Sequence, residues 1–122
     1  MNKKPKFIMC NCTGECPGFK DMNFWKLMNF VRNELDVQYA VLHPQLCVDD
    51  GERFMEDIVK EDGLLIIGAC DPRMQEKMLR DAFQKKGLEF KKHVIALDLR
   101  NMKTEEAMEK VRQAVESLRK EV

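Results

Sequence analysis

Short apolar runs alternate with amphipathic stretches along this chain, and the alternation predicts four successive strand–helix units. Lys6 to Met9 predicts a first strand. From about Asp21 to Leu35, Phe24, Leu27, Met28, Val31 and Leu35 recur on one helical stripe, and Trp25 is expected to pack with that helix. Val37 to Leu42 predicts a second strand running into Pro44, and Asp49-Asp50-Gly51 opens a helix burying Phe54, Met55, Ile58 and Val59. The run Leu64-Leu65-Ile66-Ile67-Gly68-Ala69 has no alternation, as expected of a central parallel strand covered on both faces. Asp71 then supplies an N-cap and Pro72 a first helical position. That helix is expected to reach about Lys86, with Met74, Met78, Leu79, Ala82 and Phe83 inward and Gly87 stopping it. His93 to Leu99 predicts a fourth strand, and Thr104 is expected to cap a last helix with Met108, Val111, Val115 and Leu118 on one face.

Four such units in succession imply an α/β fold. Right-handed crossovers leave few strand orders, of which 2-1-3-4 is favoured. The expectation is an open, mostly parallel four-stranded sheet with helices on both faces, in a Rossmann- or flavodoxin-like arrangement. A chain of 122 residues fits a single domain over 1–122, burying roughly two-thirds of its unfolded surface.

That topology gives the five cysteines their meaning. Cys10, Cys12 and Cys16 lie just past the first predicted strand, in a polar loop; Cys47 closes the second and Cys70 the third. The carboxyl ends of parallel strands share one edge, where ligands bind, and order 2-1-3-4 makes the three cysteine-bearing ends neighbours. Thiols distant in sequence would converge there, asking for a metal or a redox centre. Four thiolates suit an iron–sulfur core, and five candidates are present. Cys47 and Cys70 also precede predicted helices, whose N-termini favour anionic sulfur.

Other readings stand beside this one. Cys70 after an apolar strand could simply be core. Cys16, in Cys16-Pro17-Gly18, could belong to a turn with a thiol to spare. Four thiolates also describe a structural zinc site, although this chain has no paired Cys-x-x-Cys knuckles. Thiol–disulfide or sulfur-transfer chemistry through Cys10 or Cys12 is a third option. Arg73, in the first turn of its helix, is either a surface cation paired with Asp71 or Glu76, or electrostatic support for an anionic centre or a docking partner. His43 reads as structural, and the nine methionines as core filler.

Composition narrows the partners. Lys plus Arg number 21 and Asp plus Glu 21, so no net field argues for nucleic acid or an anionic membrane. The N-terminal apolar run, Phe7-Ile8-Met9, is too short for a signal peptide, and nothing approaches the roughly 20 apolar residues that span a bilayer. A cytoplasmic, reducing location is expected, where clustered cysteines indicate metal or redox chemistry. No acid–base pair, nucleophile triad or phosphate loop suggests independent turnover.

Three segments carry a resemblance: Phe7-Ile8-Met9-Cys10-Asn11-Cys12, Leu46-Cys47 ahead of Gly51, and Gly68-Ala69-Cys70-Asp71-Pro72-Arg73-Met74-Gln75-Glu76. Together they resemble the amino-terminal iron–sulfur domain of the heterodisulfide reductase A-subunit family, in the form of a stand-alone homologue. That family's pattern is Cys-x-Cys-Gly, a mid-domain Cys-Ser, and Ala-Ala-Cys-Ser-Pro-Arg-x-His-Glu. The resemblance implies that Cys10, Cys12, Cys47 and Cys70 ligate an iron–sulfur cluster, most simply one 4Fe-4S. Pro72, Arg73 and Glu76 also match. Thr13 stands where the family has Gly, Val48 and Asp71 where it has Ser, and Gln75 where it has His; Cys16 is extra, an alternative or exchanging ligand. The family's domain precedes a flavin-binding domain, yet this chain has no Gly-x-Gly-x-x-Gly fingerprint, so no flavin is expected in it. The role implied is that of an electron-transfer component of an oxidoreductase system. Its redox partner would be a flavoprotein or a heterodisulfide-reductase-like protein.

Overall fold

The computed structural model describes residues 4–11, 17–43, 46, 49–59 and 64–120, with backbone alone at 49, 50, 52, 119 and 120. Four strands, β1 (Lys6–Cys10), β2 (Ala40–His43), β3 (Leu65–Ala69) and β4 (Val94–Asp98), form one sheet. All pairings are parallel and the order is β2-β1-β3-β4, as the crossover argument expects. Among the described residues, five α-helices surround it, α1 (Phe24–Glu34), α2 (Asp49–Ile58), α3 (Pro72–Gln84), the single turn α4 (Phe90–His93) and α5 (Thr104–Lys120), and a short 3-10 turn spans Pro17–Phe19. The result is an open α/β fold with helices on both faces.

Side chains alternate along β1 and so feed two cores. Phe7 and Met9 pack with Leu27 and Val31 of α1 and Ala107, Val111 and Val115 of α5. Ile8 and Cys10 face the other way, onto Met55 of α2 and Leu79, Ala82 and Phe83 of α3. With β1 and β3 buried at every position, both faces of the sheet centre are covered, which explains the unbroken apolar run of β3.

Local chemistry sets most of the element ends. Asn23 caps α1 by accepting from the Lys26 N–H at 3.0 Å. Asp71 caps α3 by accepting from the Arg73 N–H at 2.8 Å, with Pro72 as first helical residue. Gly87, at φ 71°, follows α3 in the left-handed conformation that glycine adopts without strain.

Five details depart from the sequence pattern. β1 includes Cys10, which is 5% exposed and belongs to the core, not to a polar loop. β2 starts at Ala40 and not Val37, because residues 37–39 lie beside the N-terminal arm, where the Gln38 N–H bonds Pro5 O. β4 is preceded by α4, too short to leave a periodic signature. The buried stripe of α3 is Gln75, Leu79, Ala82 and Phe83, which turns Met74 outward; Trp25, two residues and about 200° from Leu27 on α1, is likewise 76% exposed. Thr104 begins α5 without capping it. The Glu106 carboxylate accepts from the Lys103 N–H, while the Thr104 hydroxyl accepts from the Asn23 N–H at 2.8 Å and ties α5 to the start of α1.

Candidate metal centre

The carboxyl ends of the four strands define one edge, and two of the five cysteines are described there. Cys10 is the last residue of β1, opposite His43 of β2. The register that pairs Met9 with Gly68 sets Cys10 one step further, level with Ala69, and Cys70 is the next residue of that chain. Both are free thiols. Cys12, Cys16 and Cys47, together with Thr13, Pro44 and Val48, lie outside the described residues.

Cys10 is held from two sides. Its Sγ accepts from the Leu46 N–H at 3.3 Å, and the following residue, Asn11, donates its N–H to His43 O at 3.1 Å. Leu46 is itself fixed by α2. A Cβ on Gly51 would come within 2.1 Å of Leu46 O, so only glycine lets the first turn of α2 sit against that backbone. The residue directly before Cys47 is thereby anchored at the Cys10 sulfur. His43 is buried with its ring 5.1 Å from that of Phe54, centroid to centroid, in keeping with a structural role.

Cys70 sits at the mouth of α3. Burial pushes its thiol above the ordinary value; the Arg100 guanidinium pulls in the opposite direction, and the nearby Cys10 sulfur adds to the rise. Gln75 secures the backbone here: 1% exposed, it donates from Nε2 to Cys70 O at 2.9 Å and to Leu97 O at 3.2 Å, stitching the exit of β3 to β4. Among the described residues, its Oε1 and the Asn11 Oδ1 are buried without a hydrogen-bond partner.

A cavity of about 430 Å³ opens beside Cys70, walled by Asp71, Arg73, Met74, Lys77 and Arg100. Arg73 is 93% exposed, with Nε 3.8 Å from Asp71 Oδ1, so it is both the expected surface cation and a wall of the cavity. Arg100 is better fixed. Its Nε donates to Asp98 Oδ1 at 3.0 Å and its NH2 to Oδ2 at 2.7 Å. These bonds hold the Asp98 carboxyl below the usual carboxylate range and raise the guanidinium further. The sequence pattern passed over Arg100 and Asp98, and marked Gln75 only as a departure from the family's His. An Asp-x-Arg directly after a fourth predicted strand, on the edge that carries the cysteines, was the available signal for the first two. For Gln75 the resemblance marked the position but not its burial, because a polar residue in an inward helical phase reads as a break in the stripe.

Among the described residues, no three His, Cys, Asp or Glu side chains stand together as a metal-ligand group. No helix among them is long and apolar enough to cross a membrane.

No family model matches the chain. Among curated proteins, it is 32% identical over 84 residues to the A subunit of the H2/formate:CoB–CoM heterodisulfide, ferredoxin reductase of Methanococcus maripaludis, covering 66% of this chain and 12% of that protein. It is 24% identical over 83 residues to an iron–sulfur A subunit of the CoB–CoM heterodisulfide reductase of Methanopyrus kandleri, again 66% of this chain and 12% of the other. The corresponding iron–sulfur protein of Methanocaldococcus jannaschii is 27% identical over 128 aligned positions, covering 95% of this chain and 19% of its own length. The chain thus spans between about an eighth and a fifth of the length of these relatives.

Proposed function

We propose that this chain carries one iron–sulfur cluster, of the 4Fe-4S kind, on Cys10, Cys12, Cys47 and Cys70, and relays electrons to or from a flavoprotein or a heterodisulfide-reductase-like complex. The observation that carries the reading is the meeting of Cys10 and Cys70 at adjacent strand ends, with the residue before Cys47 bonded to the Cys10 sulfur. The relatives named as iron–sulfur subunits supply the kind of centre. The described surroundings fit such a group. Thiols suit iron, a backbone N–H on one sulfur and a guanidinium near the other favour sulfur's negative charge, and the edge opens to a cavity at the surface.

When bound, the cluster supplies one-electron transfer. This chain's own part is to hold the sulfurs, set the surrounding charge and keep the centre near the surface. Cys16 is the alternative or exchanging ligand. Arg73, exposed at the cavity mouth, is the proposed contact for the redox partner. In this reading residues 1–122 act as one cytoplasmic domain, the flavin is bound by the partner, and the domain is a component of an oxidoreductase system more than an enzyme alone.

Anaerobic purification followed by iron, zinc and acid-labile sulfide assays tests this. A brown protein with about four irons per chain is expected. Cys10→Ala, Cys12→Ala, Cys47→Ala or Cys70→Ala should each abolish stable assembly, and Cys16→Ala should largely permit it. A colourless protein with one zinc, or a metal-free one cycling a disulfide after reconstitution, would overturn the proposal. Cluster loss confined to Cys16→Ala would overturn the ligand choice.

A further inference from the structure

Arg100 stands where three parts of the edge meet. Leu99 donates its N–H to Ala69 O at 3.1 Å, which brings the exit of β4 against the start of the Cys70 segment. Arg100 then folds back on Asp98: its backbone N–H donates to Oδ1 at 3.1 Å, in addition to the two guanidinium bonds to the same carboxylate. A forked pair of this kind holds the guanidinium plane in a set orientation, unlike the loose contact of Arg73 with Asp71. So held, Arg100 shares with Cys70 the wall of the cavity.

The same turn reaches the short Pro17–Phe19 helix. Asn101 adopts φ 61°, a left-handed conformation that asparagine tolerates better than most residues, and donates its N–H to Gly18 O at 2.6 Å. Gly18 lies so close that a Cβ there would come within 2.9 Å of Arg100 Cβ and 3.0 Å of Cγ. Gly18 belongs to the Pro17–Phe19 turn and follows Cys16 by two positions in the sequence.

We infer that Arg100 is a positioning residue of the sulfur site: its stem and turn clamp Gly18, and its guanidinium sets permanent positive charge beside Cys70. The electrostatic half rests on the cluster reading given above; the clamp does not. A fixed cation favours the more negative, reduced state of a neighbouring centre, so its removal lowers the midpoint potential. A loosened clamp frees the Pro17–Phe19 turn, so a chelator strips the metal faster.

Two substitutions separate the halves. Gly18→Ala keeps the charge and intrudes on Arg100. Hydrogen exchange at the Asn101 amide in the metal-free protein should accelerate several-fold, and EDTA should strip the reconstituted cluster several-fold faster. Arg100→Met keeps the stem carbons against Gly18 and removes the charge, so the midpoint potential should fall, whereas Arg100→Lys should restore most of it. Unaltered exchange at Asn101 in Gly18→Ala would overturn the clamp. An Arg100→Met potential equal to wild type would overturn the electrostatic half. Should the wild-type chain assemble no cluster, the proposed function falls and the electrostatic half with it, while the exchange measurement still decides the clamp.

Discussion

On the sheet face covered by α1 and α5, Phe7, Met9, Leu27, Val31, Leu99, Val111 and Val115 pack as a hydrocarbon and thioether core. The buried polar Thr104, at the start of α5, is bonded to the Asn23 N–H. On the face covered by α2 and α3, Ile8, Ile67, Leu79 and Phe83 pack equally well, yet Cys10 is part of the same cluster. Lys6, His43 and Gln75 are also buried on that side. The Lys6 ammonium donates to Ile58 O, the His43 ring lies on Phe54, and Gln75 bridges two strand carbonyls. Polar groups inside a protein are tolerated only when hydrogen-bonded. The first face is therefore scaffold, whereas the second combines packing with the placement of sulfur and, among the described residues, carries an unmatched acceptor at Gln75. Because β1 alternates, one strand serves both without conflict.

Substitutions of matched size should tell the two faces apart. The largest loss of stability is expected for Leu27→Ala, which empties a fully buried site between α1 and the sheet and should cost about 2–5 kcal/mol in urea denaturation. Alkylation of Cys10 in the native metal-free protein, followed by peptide mass spectrometry, should proceed as in wild type. Faster labelling of Cys10 in Leu27→Ala would mean that the faces are not independent.

Gly51→Ala acts on the other face. Its new methyl must displace Leu46 from the Cys10 sulfur, at a cost of about 1–3 kcal/mol typical of overpacking. Here the smaller loss of stability should come with clearly faster labelling of Cys10. Unchanged labelling would show that the Leu46 amide does not guard the thiol.

The smallest effect belongs to Asp98→Asn. The Asp98 carboxyl is depressed by its hydrogen bonds from Arg100, against a smaller opposing effect of burial, with Lys110 of α5 adding a weaker pull. Its stabilising contribution is therefore complete above the unfolded carboxylate value near ~3.9 and is lost as pH falls through the lower folded value. The pair is about one-third exposed, so screening limits it to roughly 1 kcal/mol or less. The stability gap between wild type and variant, read from urea midpoints, should be widest near neutrality and close as pH falls below the ordinary carboxylate range. A gap that persists in acid would assign the effect to packing of the Arg100 turn.

Periodicity was enough for the architecture because each helix had to bury one stripe and the central strands both faces. Leu27 and Val31, Val111 and Val115, and the run Leu65 to Ala69 announce this directly, and right-handed crossovers then leave β2-β1-β3-β4 as the natural order. The same logic brought Cys10 and Cys70 to adjacent strand ends from 60 positions apart. It erred where a single residue's phase mattered. Gln75 and not Met74 turns inward, because two backbone carbonyls at the sheet edge offer its amide partners that no hydropathy pattern registers.

What composition and spacing could settle was therefore which residue types gather at which edge, since strand direction and alternation are local properties of the chain. How they are held there came from folding alone. The Leu46 amide on Cys10, the close seat of Gly51, and the Asp98–Arg100 fork beside Cys70 join segments far apart in sequence. Contacts of that kind depend on distances between elements, and those distances exist only once both cores have packed.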